Sequence, residues 1–109
     1  MLDTSPLTAA VDRFADRLRA APQSRLQRGA AVEALALARE LAARAHALEG
    51  APGRQPPQVP DAGLFVVGDQ VAVTGRDLAE ALRTAETAPS ELLDEAVALV
   101  EQAELRAMR

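Results

Sequence analysis

The sequence predicts a mainly α fold with one small β-hairpin, in the order α-α-β-β-α-α. Three observations carry this reading. Apolar residues recur at helical spacing over residues 7–18, 26–48 and 92–103. One stretch, LFVVGDQVAVTG at 64–75, instead joins two Val-rich runs through a Gly-Asp pair, the composition of a two-residue hairpin turn. Between the helical regions, residues 50–63 (GAPGRQPPQVPDAG) contain four prolines and read as a linker. The 109 residues have the size of a single domain. It divides into an antiparallel helical hairpin (1–49), the linker (50–63), the β-hairpin (64–73) and a C-terminal helix pair (75–108).

The first helix opens at SPLTAAVDRF, with Ser5 as the expected N-cap and Pro6 in the first turn, where its missing N–H costs nothing. Leu7, Val11, Phe14 and Leu18 form one apolar stripe, and Pro22 stops the helix. SRLQ at 24–27 has the form of a capping box, and strong helix formers follow to Glu49, with Gly50 as the closing residue. A continuous helix of that length would run about 39 Å at 1.5 Å per residue. It would be apolar on two sides, Leu26, Ala30, Leu37, Leu41 and Leu48 on one and Val32, Leu35, Ala38 and Ala42 on the other. Such a helix needs two partners. The first helix, folded back across Pro22, supplies one of them.

Closing the hairpin at Gly68-Asp69 places Leu64, Val66, Val71 and Val73 on the face that packs on the helices. Phe65, Val67, Gln70 and Ala72 then form the opposite face, which is also mostly apolar. A two-stranded sheet is marginal alone, so this second face is the expected partner surface. Thr74 is the expected cap of the next helix, with Asp77 reaching back and Leu78 and Leu82 facing in. TAPSE at 87–91 breaks and restarts the chain, with Pro89 in a first helical turn. The last helix carries one row of Leu92, Ala96, Leu99 and Ala103 beside another of Leu93, Val97 and Val100.

Composition narrows the function. With no Cys, no Lys, no Trp, no Tyr and one His, few groups remain for nucleophilic, acid–base or metal chemistry. His46, in the last turn of the long helix, cannot build a His-based metal site by itself. The carboxylates Glu80, Glu86, Glu91, Asp94, Glu95, Glu101 and Glu104 recur at helical spacing, as on a solvated acidic face. GDQVAVTG lacks the Gly-Lys-Ser/Thr ending of a phosphate loop. No catalytic, cofactor or metal residue is therefore assigned, and the chain reads as a non-enzyme. The amino-terminal residues carry acids where a secretion signal needs positive charge, and no run reaches the ~20 apolar residues of a membrane span. A cytoplasmic protein without membrane or cofactor partners is expected.

Charge is segregated. The net charge is −4, with eight Arg against six acids in residues 1–54 (+2) and four Arg against ten acids in 55–109 (−6). Arg13, Arg17, Arg19, Arg25 and Arg28 flank the first turn with Asp16 as the one acid among them. They either meet the acidic C-terminal helix or contact phosphates. Residues 74–100 can be aligned to a winged helix–turn–helix, but Glu91, Asp94 and Glu95 would then lead the recognition helix into the groove. The expected function is therefore a self-associating protein-interaction or regulatory module. The alternative is a small DNA-binding regulator using the Arg cluster around Pro22.

Overall fold

A computed structural model describes residues 2–50, 53–85 and 90–109. Helix α1 (Ser5–Ala20) forms on the expected stripe, and Leu7, Val11, Phe14 and Leu18 are all buried. Its start lies one residue earlier than expected. Ser5 is inside the helix, and the Asp3 carboxylate caps it, accepting from the Ser5 N–H at 3.0 Å and from its hydroxyl at 2.6 Å. Pro22 ends the helix by forcing Ala21 into extended backbone.

The long second helix is interrupted. A short helical turn (Gln23–Arg25) is separated by a kink within Leu26–Ala30 from α2 proper (Ala31–Glu49). Gly29, at φ 142° and ψ −17°, changes the direction of the chain there. Only a residue without a Cβ takes that conformation freely. The Ser24 capping box does not form. Pro22 stands at the cap instead, its carbonyl accepting from the N–H groups of Arg25 and Leu26. Helix α2 is thus about 28 Å long at 1.5 Å per residue. Gly50 closes it in the left-handed conformation, as its position implied.

No β-hairpin forms among the described residues. Leu64–Val66 is a single 3-10 turn, and Val67–Thr84 is one continuous helix, α3. The helical period explains the outcome. Val67, Val71, Leu78 and Leu82 stack on one stripe, with Gly68, Ala72, Thr74, Gly75 and Ala79 buried alongside. A hairpin would bury no more than one face of a marginal two-stranded sheet, whereas this helix buries that surface and satisfies its own backbone. Thr74 is therefore interior to the helix and not a cap. Its hydroxyl donates to the Gln70 carbonyl one turn back, at 2.7 Å.

Gly68 and Gly75 act as contact points. A Cβ on Gly75 would lie 2.5 and 2.6 Å from the two γ-methyls of Val11. One on Gly68 would lie 3.0 Å from Arg19 Cγ and 3.1 Å from the Ala15 carbonyl. Helix α1 approaches α3 closely because these two side chains are missing. A comparable run of small residues on α2 (Ala31, Ala34, Ala38, Ala42 and Ala45) is buried within the bundle. In an aromatic-poor chain, close backbone approach replaces large side chains as the means of filling the core.

The last helix, α4 (Ser90–Ala107), buries Leu93, Ala96, Val100, Ala103, Glu104 and Ala107, while Leu92, Val97 and Leu99 are half-buried. The expected restart at Pro89 lies outside the described residues. Helices α1 and α2 each pack against both α3 and α4. The diagonal pairs are α1 with α2 and α3 with α4, so the expected antiparallel hairpin of the first two helices is replaced by a bundle in which α3 separates them. One continuous apolar cluster draws on all four helices. The Pro-rich segment 53–63 has no regular structure and is held to the bundle where Arg39 donates to the Val59 carbonyl (3.0 Å) and Gln70 to that of Pro60 (2.8 Å). None of the helices among the described residues is long and apolar enough to cross a membrane.

Candidate functional site

The five arginines of the first turn go to three different places. Arg13 and Arg17, one helical turn apart on α1, both reach Glu104 of α4. Arg13 Nε lies 3.2 Å from one carboxylate oxygen and Arg17 Nη1 lies 3.2 Å from the other. Glu104 is 6% exposed. A buried carboxylate is tolerated because each oxygen accepts a charged hydrogen bond. Arg19 donates to the Asp69 carboxylate from Nε (3.0 Å) and Nη2 (2.7 Å), and to Asp16 at 3.2 Å. The hydrogen bond to Asp69 holds the Arg19 guanidinium above its ordinary pKa. These three side chains fasten α1 to α4 and to the start of α3.

Arg25 and Arg28 lie elsewhere. With Arg106 and Arg109 from the end of α4 they line a concavity of about 570 Å³ at the Gly29 turn. Gly29, Val32 and Glu33 complete its inner wall. Arg25 donates to the Arg109 main-chain oxygen at 2.8 Å, and Arg106 Nε pairs with Glu33 at 2.9 Å. Arg28 has no carboxylate partner among the described residues. Sequence inspection did not join Arg106 and Arg109 to this group, since about eighty residues separate them and no spacing rule links the two ends.

The expected partner surface is also divided. Val67 (4% exposed) and Ala72 (3%) are buried inside the bundle, because a helix and not a strand presents them. Phe65 is 72% exposed. Gln70 is half-buried, bound through its amide nitrogen to Pro60, and its Oε1 is buried with no donor among the described residues. Val73, assigned to the inward face by the strand alternation, is 57% exposed. Together with Val59, Pro60, Val66 and Thr74 it lines a groove of about 320 Å³ between the Pro-rich segment and α3. The exposed Phe65 stands next to this groove in the chain.

His46 is half-buried and shares a smaller cleft, about 180 Å³, with Glu49 and Asp77. Among the described residues no three His, Asp or Glu side chains gather as a metal site would require. The absence of the hairpin also removes the wing from the winged helix–turn–helix alignment. Comparison of the chain with models of protein families, with curated proteins and with solved structures finds no match to any of them.

Proposed function

We propose that this protein is a non-enzymatic interaction module that self-associates through the face carrying Phe65 and Val73. The observation that supports it is an exposed aromatic residue, Phe65, next in the chain to Val66, which lines an apolar groove with the exposed Val73. Large apolar side chains exposed beside a concave apolar surface mark association sites, and aromatic anchors seated in pockets contribute most of the energy of such interfaces. In a two-fold dimer each Phe65 meets the groove of the other copy, one contact made twice.

Light scattering on a sizing column, over a concentration series, tests the proposal. The expected result is a dimer that dissociates on dilution, and a monomer for Phe65→Ser at every concentration. Phe65 is exposed, so that substitution leaves the core intact. A wild-type chain that stays monomeric at high concentration, or a dimer indifferent to Phe65→Ser, refutes the assigned face.

A further inference from the structure

We infer that the concavity at the Gly29 turn is a binding site for a small, multiply charged oxyanion of the linked-phosphate class, with pyrophosphate and triphosphate as its simplest members. The charge count is the first argument. Four arginines, Arg25, Arg28, Arg106 and Arg109, line it against the single acidic side chain of Glu33, a side-chain balance of +3 within a chain of net −4. Like charges gathered at one place repel unless a counter-charge relieves them. Elsewhere the chain provides that relief itself, through Glu104 for Arg13 and Arg17 and Asp69 for Arg19. At the Gly29 turn Glu33 pairs with Arg106 and the Arg109 main-chain oxygen accepts from Arg25, which leaves Arg28 without a carboxylate partner among the described residues.

Shape and chemistry set the ligand class. Guanidinium forks match phosphate oxygens in pairs, and several of them ask for more than one charge. A volume of about 570 Å³ exceeds what a lone phosphate fills. No aromatic ring lines the walls, so nothing there stacks a nucleobase. The recognised element is the phosphate chain itself. A duplex backbone fits less well, because it needs an extended basic surface and meets an acidic protein outside this one basin.

Gly29 completes the argument. With φ at 142° it turns the chain so that Arg25 and Arg28, which precede it, share a wall with Val32 and Glu33, which follow. A Cβ there would meet nothing within 4 Å, so it is the positive φ and not crowding that calls for glycine.

Isothermal titration of the full chain with inorganic pyrophosphate and triphosphate, at about 50 mM and 200 mM salt, tests the site. The expected result is saturable one-to-one binding that weakens several-fold at the higher salt. Arg28→Gln, at an exposed residue without an ion-pair partner among the described residues, should weaken it at least tenfold. Arg76→Gln, on the far pair with Asp12, should change it less than twofold. No saturable heat with either probe overturns the inference, as does equal binding by the Arg28 and Arg76 variants. A short DNA duplex that binds through Arg28 while triphosphate does not would also overturn it, and would assign the basin to nucleic acid.

Discussion

Replacing Gly75 by Ala asks whether α3 is a helix pressed against α1. The substitution has two opposed effects. Alanine is the better helix former by about 1 kcal/mol. Its methyl, however, would stand 2.5 and 2.6 Å from the γ-carbons of Val11, a side chain with no exposed surface and no room to retreat. Overpacking of one methyl into a closed contact costs about 1–3 kcal/mol, and three Val11 atoms within 3.1 Å place this site at the upper end. The net is a loss of about 1–2 kcal/mol, or roughly 4–8 °C in Tm for a domain of this size. Urea unfolding followed by circular dichroism at 222 nm reads the change as a lower midpoint at constant m. Val11→Ala alone should cost about 2–3 kcal/mol through lost burial and a cavity. The double variant should recover at least about 1 kcal/mol against the sum, since the new methyl enters the space that Val11 vacates. A Gly75→Ala protein as stable as the parent, or more so, would refute the helix contact. It would instead suit a chain in which Gly75 opens an exposed helix after a hairpin.

Two further outcomes follow from the ion pairs and the first cap. Glu104→Ala removes both charged acceptors from Arg13 and Arg17 and should destabilise by about 2 kcal/mol. Glu104→Leu should lose less, because the arginines turn to solvent and the apolar volume is kept; thermal unfolding of the two variants checks the order. The Asp3 carboxyl is held below its ordinary pKa, first by the Ser5 hydroxyl and then by the Ser5 N–H. A carboxylate whose folded pKa is depressed contributes its stability above the unfolded value, 3.8, and loses it as pH falls through the folded value. The α1 start should therefore fray in acid below about pH 4, seen as faster amide exchange at the first turn, and Asp3→Asn should flatten that dependence.

Much of the bundle was legible because its signals are local. The α1 stripe, the stop at Pro22, the closing Gly50 and the inward Leu78 and Leu82 each depend on a few neighbouring residues. The 64–75 segment misled because its two strongest local cues point the wrong way. Its β-branched valines favour strands, and its Gly-Asp pair suits a turn. The helical stripe Val67, Val71, Leu78 and Leu82 was present, yet two glycines crossed it. What makes Gly68 and Gly75 useful in a helix is the proximity of Ala15, Arg19 and Val11, 49 to 64 residues away, and no local rule contains that. For the same reason the arginines were legible as a cluster but not as three destinations. Glu104, Asp69 and Arg109 decide where they go, and all three arrive through the tertiary fold.

The diagonal placement of α1 and α2 has a consequence for how the chain is made. During synthesis Ser5–Ala20 and Ala31–Glu49 leave the ribosome ahead of α3 as two helices that are not each other's partners. Neither can bury its stripe until α3 emerges to lie between them. The contact between Arg13 and Glu104 spans 91 positions, whereas Arg19 meets Asp69 across 50, so α1 is fastened to α3 before it is fastened to α4. Folding is thus set to begin with α2 and α3 and to be completed by the arrival of α4. Before α3 arrives, the apolar side of α1 has no helix to cover it.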